Sequence, residues 1–157
     1  MKEKITNMKT VIIYESKHHG NTKKLCDAIA GIGSVDLIEA KKLSEGISWA
    51  DYDLIGFASG IAYGNFYRNV RKAASQVPVG AKTFYLYTCA RNDKDFAAGI
   101  KAVAREKGAV ILGSHGCTGY NTFGPLKFTG GMNHGHPDEA EIQSAVSFYM
   151  DLIKSEK

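Results

Sequence analysis

The sequence predicts an α/β fold in which a five-stranded parallel sheet is wound with helices on both faces. Short apolar runs alternate with segments of helical periodicity along the whole chain. The third run, residues 53–59, is apolar on both faces, which is typical of a central strand of a parallel sheet. Each connection is about long enough for one helix, so the strands can run parallel through helical crossovers.

The size and composition of the chain predict one domain, residues 1–157, with its core at about 10–154. The 157 residues are 44% hydrophobic, enough for one core. The first ten residues, MKEKITNMKT, lack the continuous apolar segment of a signal peptide or membrane helix. Three cysteines without a CxxC pair favour a reducing compartment. We therefore expect a cytoplasmic protein with no membrane partner.

The charge pattern predicts no nucleic-acid partner. Twenty basic and sixteen acidic residues give a net charge of +4, and the basic residues are scattered through the chain. A nucleic-acid footprint needs a basic stripe or a recognisable binding motif, and the sequence has neither.

The first half of the chain predicts three strands. A β-branched run at 10–16 is followed by helical spacing of apolar residues over 20–32, and a second strand follows at 34–40. Residues 42–53 form a polar connection with one short helix before the third strand, 53–59.

The second half continues the alternation. It predicts a helix over 65–77, a fourth strand over 81–90, a helix over 93–108 and a fifth strand over 109–116. The last helix, 138–154, has acidic residues in its first turn, where the helix dipole favours them. In such folds ligands bind beyond the carboxyl ends of the strands, so function is expected in the loops after strands one, three and four.

The loop after the first strand, SKHHGNT at 16–22, has the composition of an anion site. A helix start offers unpaired backbone N–H groups and partial positive charge. Gly20 allows close approach of the backbone, and Lys17 can add a charged donor. The alternative is that Asn21 or Thr22 only caps the helix. The loop matches neither the GxxxxGK[ST] nor the GxGxxG phosphate-binding pattern.

This loop resembles the FMN phosphate loop of flavodoxins, whose usual form is S-x-T-G-N-T. Ser16 lies four residues before Gly20, where three is the commoner spacing, and histidines replace the threonine. Residues 56–66 and 114–149 are similar to segments of a small single-domain flavodoxin-like group. The matching segments span roughly 10–154. The resemblance implies a flavodoxin-like sheet of strand order 2-1-3-4-5 and FMN as the cofactor.

The resemblance also implies the residues that contact the cofactor. Those around the phosphate are Ser16, His18, His19, Gly20, Asn21 and Thr22. Those at the ring are Ser59, Gly60, Ile61, Ala62, Tyr63 and Gly64 on one side, and Thr88, Cys89, Ala90 and Arg91 on the other. The loop at 88–93 lacks the aromatic residue that flavodoxins often place there, so Tyr120 is a candidate to stack on the ring.

Two further groups of residues invite chemical interpretations. Cys117 and His115 would point to the same face of an extended segment, as a nucleophile and its base do, although small buried cysteines usually only pack. His134 and His136 lack the CxxC or HExxH spacing of a zinc site, so no metal is expected.

The leading functional hypothesis is an FMN-binding electron-transfer protein, whose partners are redox proteins or small electron donors and acceptors. No catalytic residues are assigned, because the flavin carries the chemistry. The alternative is an FMN-dependent NAD(P)H:quinone-type oxidoreductase. A third hypothesis is a domain that keeps the fold and binds no flavin.

Overall fold

The computed structural model describes residues 8–122, 126 and 128–156, and strands and helices alternate along them. The remaining residues of the predicted 1–157 domain, namely 1–7, 123–125, 127 and 157, lie outside the described residues. The elements in chain order are β1 (Thr10–Glu15), α1 (Asn21–Ala30), β2 (Val35–Glu39), 3-10 helices at Ala40–Glu45 and Trp49–Asp51, β3 (Leu54–Ala62), β4 (Asn65–Phe66), α2 (Arg68–Ala74), β5 (Lys82–Cys89), α3 (Ala98–Glu106), β6 (Val110–Thr118) and α4 (Glu139–Ser155).

The sheet has the predicted order of parallel strands. Its path is β2-β1-β3-β5-β6, which confirms the order 2-1-3-4-5 once β4, a short extra strand, is set aside. β1 pairs in parallel with β2 on one side and with β3 on the other. The chain therefore reverses its winding direction between β1 and β3, and a crevice opens there at the carboxyl ends of the strands.

The region after β3 differs from the sequence prediction because it contains a hairpin. β3 continues to Ala62, and Asn65 and Phe66 pair antiparallel with it as β4. The two turn residues, Tyr63 and Gly64, have φ angles of 51° and 78°. Two consecutive positive φ values fit the tight turn that joins two antiparallel strands. The predicted helix 65–77 consequently begins only at Arg68.

Two hydrophobic cores cover the two faces of the sheet, as the predicted winding requires. Alternate residues of β1 enter different cores, because side chains of a strand alternate between faces. Ile13, Phe57 and Tyr85 lie in one core, and Ile12 and Phe84 lie in the other, where Tyr149 of α4 also packs. Among the described residues, no helix combines the length and the apolar character needed to cross a membrane.

Candidate functional site

A cavity lies at the crevice between β1 and β3, and its walls come from the loops that follow β1, β3, β5 and β6. Twelve of the predicted cofactor residues line it: Ser16, His18, Asn21, Thr22, Gly60, Ile61, Ala62, Tyr63, Thr88, Cys89, Ala90 and Tyr120. Lys17, noted above as a charged donor, lines it too. Sequence reasoning missed Tyr67, Gly119 and Asn121. The three predicted loops thus meet, together with a fourth.

Five predicted residues lie beside the cavity without lining it: His19, Gly20, Ser59, Gly64 and Arg91. Ser59 is fully buried, and its hydroxyl donates to the Gly60 carbonyl at 2.5 Å and accepts from the Tyr67 N–H at 2.9 Å. Both hydrogen bonds hold the chain around β3 and β4. In this structure Ser59 therefore positions the wall of the cavity.

His19 does not line the cavity and contacts the loop after β6. It has a φ of 54° and precedes Gly20, which has a φ of 66°, so two left-handed residues turn the chain into α1. Its Nε2 lies 3.0 Å from the Thr122 hydroxyl, and its ring centroid lies 4.1 Å from that of Tyr120. His19 joins two loops, whereas His18 lines the cavity.

The ring of Tyr120 packs against two histidine rings. The distance between ring centroids is 4.1 Å for His19 and 4.2 Å for His134. The Tyr120 hydroxyl donates to the Gly130 carbonyl at 3.1 Å. Two ring contacts at these distances would compete with a flavin for the surface of the phenol. Tyr120 lines the cavity, and its stacking on the cofactor ring stays a prediction.

Asn21 supplies an unused hydrogen-bond acceptor. Its side chain is 6% exposed, and its Nδ2 donates to the Tyr120 carbonyl at 2.7 Å. Within the described part of the chain, its Oδ1 is the one buried side-chain nitrogen or oxygen without a hydrogen-bond partner. An unpaired buried acceptor costs about 1–3 kcal/mol, so such an atom in a cavity wall points to a donor on a ligand.

Thr22 and Thr88 add a spare donor to the same wall. Both are buried, and their hydroxyl oxygens lie 2.8 Å apart. One hydroxyl donates to the other, and the proton of the accepting hydroxyl is left for a further partner. α1 has no side-chain cap and no acidic residue in its first turn, so its positive end is not neutralised locally.

Tyr67 explains why residue 60 is glycine. A Cβ on Gly60 would lie 2.5 Å from the Tyr67 hydroxyl oxygen, so only glycine leaves room for the phenol. The Lys17 ammonium lies 4.7 Å from the Tyr67 ring centroid and 3.4 Å from Glu15. Burial, with a smaller contribution from Glu15, raises the pKa of Tyr67, so the phenol stays a neutral donor. No sequence signal indicated Tyr67, because the turn pair Tyr63 and Gly64 of its hairpin lacks the asparagine or aspartate that usually begins such a turn.

Cys89, which lines the cavity, and Cys117 are buried thiols. Burial raises the pKa of Cys89 to about 12, and burial likewise raises the pKa of Cys117 to about 12. Cys117 packs with Leu25 and Ala145, while His115 packs on Phe148 with ring centroids 5.5 Å apart. This environment fits packing and lacks the low pKa of a nucleophile.

The histidines considered for a metal site lie in different surroundings. His134 packs on Tyr120, and His136 bonds to Glu141. Among the described residues, His136, Asp138 and Glu141 form a cluster in which the atoms that could ligate a metal lie within 4.8 Å of one another. Asp138 and Glu141 are also the capping box of α4, which accounts for their proximity.

Comparison with known proteins identifies the family. The flavodoxin-domain family model matches residues 11–99, more than half of the chain, so this chain belongs to the flavodoxin family. An uncharacterized protein of Methanocaldococcus jannaschii is 34% identical over 151 residues, which cover 94% of this chain and all of the relative.

Solved structures share the fold at low sequence identity. Oxidised flavodoxin 1 from Bacillus cereus has a TM-score of 0.62 and 18% identity, with 93% of this chain and 97% of that chain covered. A flavoprotein from Lactobacillus acidophilus, solved in complex with FMN, has a TM-score of 0.56 and 20% identity, with 71% and 93% covered.

Proposed function

We propose that this protein binds FMN in the cavity at the crevice and works as a single-domain electron carrier. The observation that carries the proposal is the wall formed by Asn21, Thr22 and Thr88, which offers a buried unpaired acceptor and a spare hydroxyl donor beside the start of α1. The likeness to a flavodoxin and to a flavoprotein with bound FMN supports it.

The start of α1 would hold the phosphate. Backbone N–H groups at a helix start and the helix dipole together favour an anion. Ser16 and His18 line the cavity there, and Lys17 adds a positive charge. The extra residue between Ser16 and Gly20, compared with the usual flavodoxin loop, leaves room for two adjacent histidines. One of them, His18, faces the cavity, and the other, His19, fastens the neighbouring loop.

The polar wall would hold the ribityl chain. A hydroxyl group both donates and accepts, and the wall offers an acceptor at Asn21 Oδ1 and a donor from the Thr22 and Thr88 pair. Phosphate oxygens cannot donate to Asn21 Oδ1 when fully ionised, so a ligand hydroxyl is the better match. A polyol next to an anion therefore fits this cavity better than an anion alone.

The hairpin after β3 would hold the flavin ring. Ile61, Ala62 and Tyr63 line the cavity with apolar surface, and Tyr63 is 94% exposed at its rim. FMN, when bound, supplies one-electron and two-electron chemistry. The protein then has to bind the ring, orient it and limit its access to water, so no acid, base or nucleophile is required of it.

A second candidate is an FMN-dependent oxidoreductase that takes hydride from NAD(P)H and reduces a quinone. This candidate is favoured because the ring of Tyr120 already packs against His19 and His134 and because residues 88–93 contain no aromatic side chain. One face of the flavin ring would then be accessible to a substrate. Sustained NADH or NADPH oxidation with a quinone would favour this candidate, whereas an electron carrier would oxidise them only with an added reductase.

Two matched threonine variants test the cofactor site. Thr88→Val removes a hydroxyl from the cavity wall, and Thr83→Val removes a buried hydroxyl from the same strand outside the cavity. We expect Thr88→Val to weaken FMN binding by about tenfold, as the loss of about 1–3 kcal/mol implies, and Thr83→Val to leave the dissociation constant within about twofold. Equal effects of the two variants would contradict the assignment of this wall.

A further inference from the structure

The loops around the cavity carry few acidic residues. No aspartate or glutamate occurs between Asp53 and Asp93, a stretch that contains five lysines and arginines. None occurs between Glu106 and Asp138 either. These two stretches include the hairpin after β3 and the loop after β6, so the carboxylates of the chain lie mostly elsewhere.

Several cations at this edge lie outside the cavity. Arg68 begins α2, directly after Tyr67 of the cavity wall, and Lys94 lies in the loop after β5; both are exposed and neither lines the cavity. That loop also carries two exposed aspartates, Asp93 and Asp95, and Asp95 pairs with Lys101 at 2.9 Å. Cations that cannot reach into the cavity do not serve the phosphate of the cofactor, so they are available to a larger partner.

Elsewhere on the surface, some cations form ion pairs with carboxylates. Lys23 and Asp27 lie 2.8 Å apart on α1, and Lys82 and Glu156 lie 2.9 Å apart at the opposite edge of the sheet. Among the described residues, Arg68 and Lys94 have no ion pair of this kind, so both charges are available at the cavity edge.

An exposed aromatic side chain lies among these cations. Tyr63 is 94% exposed at the rim of the cavity. An apolar or aromatic centre with a charged rim is the usual composition of a protein-protein interface. We call the exposed residues Tyr63, Arg68 and Lys94 the mouth surface.

We propose that the mouth surface docks an acidic one-electron redox protein, an inference that rests on the proposed function. Each reduced partner molecule loses one electron to the bound flavin, so two are oxidised for each flavin that is fully reduced, with protons taken from water. The cations raise the encounter rate by attraction, an effect that salt screens.

The test uses the FMN-loaded protein and a dithionite-reduced, desalted acidic [2Fe–2S] ferredoxin as the probe. Stopped-flow absorbance follows electron transfer between about 20 and 300 mM salt, where the Debye length shortens by several-fold. The variant is Arg68→Glu with Lys94→Glu. The matched control is Lys107→Glu with Lys154→Glu, two exposed lysines outside the cavity edge that change the net charge equally.

We expect the second-order rate to fall at least tenfold over the salt range, and the mouth variant to be at least tenfold slower at low salt with a flatter salt dependence. The control variant should stay within about threefold of the unmodified protein. Two results would overturn the proposal. One is a second-order rate that changes neither with salt nor in the mouth variant. The other is an equal decrease of the rate in the mouth variant and in the control variant. FMN binding and photoreduction are measured first on every variant, so a failure of the cofactor assignment is recognised separately.

Discussion

Gly60→Ala is the substitution that tests the architecture of the cavity wall most sharply. The new Cβ would lie 2.5 Å from the hydroxyl oxygen and 2.9 Å from the Cζ of Tyr67, which is 6% exposed and has little room to move. Overpacking of this kind costs about 1–3 kcal/mol. We expect that loss in the free energy of unfolding and a severalfold weaker FMN affinity, because Tyr67 is displaced within the site.

Urea unfolding of the apoprotein measures the cost without the stabilisation that a bound ligand adds. Gly33→Ala is the matched control, because its new Cβ would meet its nearest neighbours at 3.8 Å, an ordinary contact. The double variant Gly60→Ala with Tyr67→Phe removes the closest clashing atom, so part of the loss should be recovered as a coupling energy. If Gly60→Ala unfolds like Gly33→Ala and Tyr67→Phe changes nothing, the wall is not packed as described.

Three further predictions concern Asn21, the cysteines and His136. Asn21→Asp replaces the N–H donor to the Tyr120 carbonyl with a buried carboxylate oxygen. We expect calorimetry to show an FMN affinity at least about tenfold weaker. An unchanged affinity would mean that the ligand binds elsewhere. Iodoacetamide at pH 8 should label none of the three buried cysteines in the native protein and all three in urea. The reason is their burial, which raises the pKa of Cys89 and of Cys117 to about 12. Rapid labelling of the native protein would contradict this burial. The hydrogen bond that His136 donates to the Glu141 carboxylate, together with nearby acidic charge, raises the pKa of His136. Burial alone would raise the pKa of Glu141, but its hydrogen bonds lower it. The pair therefore stabilises the fold at pH values above the pKa of an unfolded glutamate and below the pKa of an unfolded histidine. In urea unfolding, we expect His136→Ala to lower the free energy of unfolding most near pH about 5.5 and least above about pH 8. A loss that does not change with pH would contradict this prediction.

The sheet could be predicted because each of its long strands occurs in the sequence as a short apolar run. Apolar runs such as 53–59 have few alternatives to a buried parallel strand, and the strand order followed from the resemblance of the first loop. The loops of the cavity could be predicted because parallel strands end at one edge, which brings the residues after them together.

The hairpin could not be predicted from the same evidence. Asn65 and Phe66 continue smoothly into the helical spacing of the following residues, and only the backbone angles of Tyr63 and Gly64 reveal the turn. Contacts between loops could not be predicted either. Nothing in the sequence indicates that Tyr120 packs against His19 and His134, because the three residues are brought together only by the fold.

A calorimetric titration of the purified apoprotein with FMN tests the proposed cofactor site most directly, with riboflavin as the matched probe that lacks the phosphate. We expect one FMN bound for each chain and at least about a hundredfold weaker binding of riboflavin, because the start of α1 and the charged residues beside it would hold the phosphate. Absence of saturable FMN binding, or equal affinity for the two flavins, would contradict the proposed site.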